Sequence, residues 1–350
     1  MTSPMLVEAA ELRELVRDLL HGKGLPLRDA GWMADALVDA DLSGTTTHGT
    51  ERVPQYLSRL DAGMISAAPA LEVLQDEGAT MRLDGGNGFG QVTGTWLTEA
   101  VVEKVASTGV VVATMRASNH LGALGYYVGM AAERGYIAFL VQNTVPNMAP
   151  FGGADPHIGN NPFAFGLPTS FGWPLVLDIS CSRVARGNVI LAAKKDEAIP
   201  EDWALDDQGR PTTDPRAALE GAMRAFGDHK GSGLAIVMGA LAGVLSGGNY
   251  GMDVPAPDDH GQLRDVGHFV LVIDPDRFLQ RGAYAERITR YIEQIKDARP
   301  IPGHDEVLVP GEGAFRRRVA RRRDGVPIRE DLWHELQDLM STVEREEKYG

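Results

Sequence analysis

The chain has 350 residues, 43% of them apolar and 23% charged, and a formal net charge of -14. That size buries a large core and still encloses a cleft, with about two domains expected at ~150 residues each. The acidic balance argues against broad nucleic-acid binding and against an anionic membrane surface, and the single cysteine, Cys181, excludes an internal disulfide and fits a reducing, cytoplasmic compartment.

Glu8, Glu11, Arg13, Glu14, Arg17 and Asp18 interrupt the apolar core a signal peptide would need, so none is expected. Residues 7–20 instead predict an amphipathic helix, with Leu12, Leu15, Val16, Leu19 and Leu20 on one face and Gly22 and Gly24 ending it. A second helix is expected over 28–42. A third should start near Arg52–Pro54 and run through Tyr56, Leu57 and Leu60 to Gly63, because proline is tolerated in a first helical turn. DGGNGFG at 84–90 is rich in turn residues. Helical patterns over 95–107 and 123–134 then alternate with strands at 110–115 and 137–142, and further strands read at 175–179 and 269–273. This alternation predicts an α/β layer structure.

Residues 144–174 carry prolines at 146, 150, 156, 162, 168 and 174. The apolar positions do not follow that spacing, so a β-helix repeat is rejected and a long, ordered, irregular loop is expected. Residues 231–248, GSGLAIVMGALAGVLSGG, hold no charge, and Gly239, Gly243 and Gly247 repeat at the spacing of close-packed membrane helices. The run is short, glycine-rich and isolated, so a buried helix of a soluble protein is expected. A helix over about 276–297, a strand-like Val307–Val309 and a charged helix from 329 complete the chain. Six arginines within 316–323 read as a solvated basic helix face.

Standard motifs are missing. No G-x-G-x-x-G, no P-loop, no H-E-x-x-H, no closely spaced Cys/His set for zinc and no G-x-S-x-G elbow occurs. Three local constellations remain. In TTTHGTER at 45–52, His48 can exchange a proton near neutral pH, and Arg52, four residues later, can fork onto a carboxylate. In SNHLGALG at 118–125, a small-residue loop runs from a strand into a helix N-terminus, a place that suits a phosphate. In DHKGSG at 228–233, Lys230 could meet a phosphate or ribose. On spacing alone each also reads as an ordinary turn or a solvated surface group.

Taken in order, these segments are similar to the malate/L-lactate dehydrogenase family, the sulfolactate dehydrogenase-like oxidoreductases, over about residues 8–330. The likeness rests on THGTERVPQYLSRLDAGMI at 47–65, NHLGALGYY at 119–127, NTVPNMAPFGGADPHIGNNPFAFGLP at 143–168 and LDISCSRVARGNV at 177–189. WALDDQGRPTTDP at 203–215, HKGSGLAIVMGALAGVLSG at 229–247 and VLVPGEG at 307–313 extend it.

The resemblance implies an α/β, non-Rossmann fold with a large mixed β-sheet wrapped by helices, which accounts for the missing glycine fingerprint. It implies a discontinuous helical domain, 1–75 with 285–350, and a cofactor-binding and dimerisation region over 76–284. A homodimer is expected, with no nucleic-acid or membrane partner. The implied reaction is hydride transfer between NAD(P)(H) and C2 of a small 2-oxo or 2-hydroxy acid. Reduction of a cyclic ketimine acid, or binding without catalysis, are the alternatives. Carried over by position, His48 and His120 are the candidate proton-transfer groups, and Arg52 is the substrate-carboxylate ligand. Thr47, Thr144 and Asn160 line the substrate. His120, Leu121, Gly122, Ala123, Leu124, Asp178, Ile179, Ser180, Lys230, Pro310, Gly311 and Glu312 match cofactor contacts; no metal ligand is implied. Thr47 stands where serine is usual, Asn160 where threonine is usual, and Ile179–Ser180 where Met-Ala is common. Those departures bear on substrate identity more than on reaction class.

Overall fold

The structure is a computed structural model, and its described residues are 4–256 and 262–349. Strand β1 (Met5–Val7) leads into α1 (Ala9–Gly22), which buries Leu12, Val16, Leu19 and Leu20 at the expected helical spacing. Helix α2 (Leu27–Ser43) stops at Gly44, whose backbone is left-handed. Two 3₁₀ turns, Thr46–His48 and Thr50–Arg52, then feed α3 (Val53–Asp61), with Pro54 in its first turn. His48 and Arg52 thus lie on separate turns either side of an extended Gly49, rather than on one helical face.

The hairpin β2 (Glu72–Glu77) and β3 (Thr80–Asp84) has no counterpart in the sequence reading; its charged, mostly exposed residues give no apolar pattern. Helix α4 (Gly90–Thr108), β4 (Val110–Ser118), α5 (Leu124–Glu133) and β5 (Ile137–Gln142) follow the expected alternation. The irregular loop expected over 144–174 is corrected, because it holds β6 (Pro146–Met148), β7 (Ile158–Gly159) and β8 (Phe163–Leu167). Pro162 and Pro168 bound β8 without interrupting it. Strand β9 (Leu175–Ile179) returns antiparallel to β8.

Helix α6 (Arg186–Lys195), β10 (Ala204–Leu205), α7 (Pro215–Glu220) and β11 (Ala222–Met223) come next. They precede α8 (His229–Gly239), which runs on into a π turn at Ala240–Val244. Strand β12 (Val266–Ile273), α9 (Ala283–Lys296), α10 (Glu312–Asp324), β13 (Val326–Ile328) and α11 (Glu330–Tyr349) complete the order. The expected helix over 276–297 is shorter, since Pro275–Arg277 forms a separate 3₁₀ turn. Val307–Val309 is not a strand: Val309 N donates to the Glu312 carboxylate and leads into α10.

Seven strands form one sheet in the order β2-β3-β4-β12-β5-β8-β9. Only β3 and β4 pair in parallel; the other neighbours are antiparallel. The central strands bury both faces. Ala138, Leu140, Val270 and Val272 pack under α4 and α5, whereas Phe139, Val141, Phe269 and Leu271 point to the α8 side. This period of two produces continuous apolar runs in β4, β5 and β12. Each fully buried Val or Leu here contributes about 1.5–3 kcal/mol.

A separate core joins α1, α2 and α11 through Leu12, Leu19, Met33, Leu37, Trp333 and Leu336, and β1 pairs with β13. The arginine run lies on α10, and the structure corrects its reading as a merely solvated face. Arg317 donates to Ser43 O at 2.8 Å, Arg321 to Asp41 O, and Arg318 pairs with Asp39 at 2.8 Å. Cations thereby sit on the last carbonyls of α2, where the helix dipole favours them.

The uncharged run at 231–248 is helical, but the structure also corrects its expected burial. Ala235, Met238 and Ala242 face the core, while Ile236, Val237, Val244 and Leu245 are each more than half exposed. No helix among the described residues is long and apolar enough to cross a membrane.

Candidate active site

Register brings the site together. Ser118 at the end of β4 pairs with Val266 at the start of β12, and His268 pairs with Gln142 at the end of β5. Phe163 at the start of β8 pairs with Val141 and with Ile179 at the end of β9. His120, Thr144, Asn160 and the 178–180 segment therefore emerge at one end of the sheet, although they lie far apart in sequence. The 3₁₀ turns before α3 close over that end.

A cavity of about 290 Å³ opens there, near the lower limit for small-molecule sites. Thr47, His48, Arg52, Tyr56, His120, Thr144 and Asn160 line it. The imidazoles of His48 and His120 lie side by side, with ring centroids 5.3 Å apart. His120 Nδ1 is 3.0 Å from the Tyr56 hydroxyl, which accepts the Gln91 amide at 2.9 Å. That contact engages Nδ1, and among the described residues Nε2 has no hydrogen-bond partner. Among the described residues, the His48 ring is hydrogen-bonded only to the Thr47 hydroxyl, 3.2 Å from Nδ1.

Both rings edge on the cavity, yet most of each is packed in protein. Burial, and then the Arg52 charge, lowers the His48 pKa to about 4. Burial lowers that of His120 well below 6.5, with His48, Arg52 and Arg264 adding to it in that order. Both rings are therefore neutral at pH 7 in the free protein.

The turn carrying His48 is fixed from below. Asp41, buried at the end of α2, accepts Thr50 N at 2.9 Å and Thr50 Oγ1 at 2.7 Å. Burial pushes its pKa up to about 6 against those two bonds. Gly49 is required by this approach, since a Cβ there would lie 2.0 Å from Asp41 Oδ1. Arg52 Nε donates to Thr47 O at 2.6 Å and its Nη1 to Gln55 Oε1 at 2.9 Å, which fixes the guanidinium plane. Its Nη1–Nη2 edge retains donors for a carboxylate.

The glycine-rich 84–90 stretch supports His120 from behind. Asn119 Nδ2 donates to Gly88 O at 2.9 Å, and Gly90 comes so close that a Cβ would lie 2.0 Å from His120 O. Thr144 Oγ1 donates to Asn160 Oδ1 at 2.8 Å, which joins two predicted substrate contacts directly.

Of the predicted cofactor residues, His120 alone lines the cavity among the described residues. Asp178 accepts Gly125 N at 2.7 Å and links the end of β9 to the 120–124 loop. That carboxylate caps the N-terminus of α5, the place that on sequence suited a phosphate. Gly311 lies against Val176 of β9. Glu312 is buried and bonded to Lys296 Nζ at 2.7 Å and to Arg316 at 2.5 Å, so its carboxylate is already engaged. Lys230 is exposed in the first turn of α8, outside the cavity lining. Among the described residues, no group of three or more His, Cys, Asp or Glu side chains could hold a metal ion.

Sequence reasoning missed Tyr56, Gln91, Arg59, Arg186 and Arg264. Tyr56 and Arg59 follow Arg52 at four and seven residues, so the face of the expected third helix could have exposed them. Nothing local marks Arg264.

A fixed guanidinium, two adjacent neutral imidazoles and a lining of amides give the cavity the groups needed to bind a small organic acid and exchange a proton with it. Comparison with known proteins places the chain in a family. The profile described as malate/L-lactate dehydrogenase matches residues 7–337, and the chain belongs to that family. It is 35% identical to an L-sulfolactate dehydrogenase of Methanocaldococcus jannaschii, with 97% of each chain covered. It is 32% identical to a Delta(1)-pyrroline-2-carboxylate/Delta(1)-piperideine-2-carboxylate reductase of Pseudomonas syringae pv. tomato, over 95% of this chain and 96% of that one. A solved sulfolactate dehydrogenase structure from M. jannaschii superposes with a TM-score of 0.90 at 34% identity, covering 97% of each chain.

Proposed function

We propose that the protein is an NAD(P)-dependent oxidoreductase that interconverts a small 2-oxo acid and its 2-hydroxy acid. The observation that carries this reading is Arg52, held in plane beside the paired His48 and His120 rings. When bound, the nicotinamide supplies and accepts the hydride. Its binding is assigned to the 120–124 loop, Asp178–Ser180, Lys230 and the Pro310–Glu312 turn. The residues fit such a group: Asp178, Ile179, Leu308 and Pro310 are exposed, offering a carboxylate and apolar faces to a nucleoside.

Arg52 forks onto the C1 carboxylate and fixes which face of C2 is presented. Thr47, Thr144 and Asn160 flank the substrate. His120 Nε2 gives the proton to the C2 oxygen during reduction and takes it back during oxidation. The Tyr56–Gln91 pair orients that ring, and His48 beside it disfavours a second positive charge. The largely antiparallel sheet supports a dinucleotide fold unlike the Rossmann type, whose sheet is mostly parallel. The shared core of α1, α2 and α11 supports the helical unit of 1–75 with 285–350. The exposed apolar face of α8 supports a homodimer in which a second copy covers it. The acidic charge and single cysteine support a cytoplasmic location.

A coupled screen of NADH and NADPH oxidation over pyruvate, oxaloacetate, sulfopyruvate and piperideine carboxylate tests the reading. Reduction of at least one linear 2-oxo acid is expected; turnover of the cyclic imine alone would move the assignment to imine reduction. The depressed histidine pKa values add a pH signature. Oxidation needs a neutral imidazole, so its kcat/KM should stay level through pH 6.5 and fall only at lower pH. Reduction needs the protonated ring, so its kcat/KM should rise as pH falls toward 5. An acidic limb for oxidation centred at 6.5 or above would contradict the geometry.

A further inference from the structure

We propose that His268 is a positioning residue for proton transfer, the far end of a buried chain His268–Gln91–Tyr56–His120 that sets which ring nitrogen of His120 carries hydrogen. The proposal rests on the oxidoreductase reading above and concerns the same site.

His268 lies in β12, opposite Met115 of β4 and Gln142 of β5. Its side chain falls on the face of Val270 and Val272, beneath α4, where the neighbouring strands contribute Ala113, Met115 and Leu140. It is fully buried, and neither ring nitrogen has a hydrogen-bond partner among the described residues. Burial lowers its pKa to about 3, so the ring is neutral, with one nitrogen that donates and one that accepts. A leucine or methionine would fill such a place without stranding a polar atom. Buried polar groups are ordinarily hydrogen-bonded, so two unspent nitrogens at this depth call for a partner within reach.

Gln91 is that partner. It is buried, its Nε2 donates to the Tyr56 hydroxyl at 2.9 Å, and a Cβ on Gly122 would lie 3.2 Å from that nitrogen. Its Oε1 is sealed and has no partner among the described residues. Gln142, paired with His268 across the strands, holds the preceding residue of the same loop by accepting Leu121 N at 2.8 Å. The His268 charge acts on His120, which puts the two rings within electrostatic range. Asn119 Oδ1 is also sealed and unpartnered among the described residues, but its amide nitrogen is spent on Asn87 and Gly88, outside this group. A turn of the His268 ring, or one bridging water, joins it to Gln91 Oε1.

The end of the amide that meets Tyr56 decides the rest of the chain. Tyr56 has one hydroxyl hydrogen to place. With Gln91 Nε2 on its oxygen, that hydrogen goes to His120 Nδ1, 3.0 Å away, and His120 carries its own hydrogen on Nε2. With the amide turned, Tyr56 donates to Oε1 and accepts from Nδ1–H, and Nε2 is bare. The first form presents a hydrogen to the substrate's C2 oxygen, and the second presents a lone pair. His268 serves both, because its ring donates to Oε1 in the first form and accepts from the amide nitrogen in the second. An apolar side chain there would serve neither.

The test compares the wild-type protein with His268→Leu, His268→Gln and Gln91→Leu. His268→Leu should lower the single-turnover rate about tenfold in both directions, a fraction of the ~10²–10⁴-fold cost of losing the proton-transfer group itself. It should leave KM for substrate and cofactor within about threefold. His268→Gln keeps a donor and an acceptor and should recover most of the loss. Gln91→Leu should cost about as much as His268→Leu, and the double variant little more, because both cut one chain. NMR of the histidine ring nitrogens reads the tautomer of His120 without turnover. His268→Leu and Gln91→Leu should both change it, and His268→Gln should restore it. An unchanged tautomer, additive losses in the double variant, or a loss that His268→Gln does not relieve overturns the proposal. Should His268→Leu not fold, Gln91→Leu leaves β12 untouched and should still move the ring signals of His268; unmoved signals overturn the proposal. If no 2-oxo acid is reduced while the tautomer responds as stated, the chain stands and the oxidoreductase reading falls.

Discussion

Replacing His120 with asparagine is expected to lower kcat by about 10²–10⁴-fold, the usual cost of losing a general acid or base. Asparagine keeps a polar group near the Tyr56 hydroxyl and is smaller than imidazole, so the fold should survive. The corresponding His48→Asn change should cost less than tenfold. The difference follows from support. His120 is oriented by a buried Tyr56–Gln91 pair and its backbone is pressed against Gly90, whereas the His48 ring is hydrogen-bonded among the described residues only to the Thr47 hydroxyl. Single-turnover kinetics with each variant would decide it. A large loss on His48→Asn with a small loss on His120→Asn would exchange the two roles. The pH profile supplies a second check, because the acidic limb for oxidation should vanish with the residue that bears the proton.

Arg52→Lys is expected to raise the substrate KM about 100-fold while kcat changes only a few-fold. Lysine retains the charge but has no planar fork, so the paired hydrogen bonds to C1 cannot both form. Hydrogen bonds to charged groups contribute about 1.5–3 kcal/mol each, and 100-fold corresponds to ~2.8 kcal/mol. A rise in KM alone marks binding shared by ground state and transition state. Arg52 also donates to Thr47 O, so a second outcome is informative. A fall in kcat at constant KM would assign Arg52 to holding the histidine turn instead of the substrate.

Much of the site was legible because its residues sit in short, ordered segments. His48, Arg52 and His120 stand in two such segments, and the structure brings them to one cavity. The strands at 110–115 and 137–142 were legible because both faces are buried, which leaves unbroken apolar runs. Strand β8 was not, because Pro162 and Pro168 frame it and suggest a loop. The partners of the arginine run were hidden for another reason. Arg317 and Arg321 bond carbonyls 274 and 280 positions away, and no local pattern announces a partner at that distance. Arg264 was invisible in the same way, since it reaches the site only through the pairing of β12 with β4.

The clamp of α10 on α2 bears on how the protein is made. Asp41, which holds the His48 turn through Thr50, is itself bonded at its carbonyl by Arg321. Those two residues leave the ribosome 280 positions apart. At ~5–20 residues per second, tens of seconds separate them. A half-finished chain therefore holds both histidines but not the brace beneath the first of them. The turn that carries His48 and Arg52 should therefore gain its full support only after the C-terminal helices have been released and have docked.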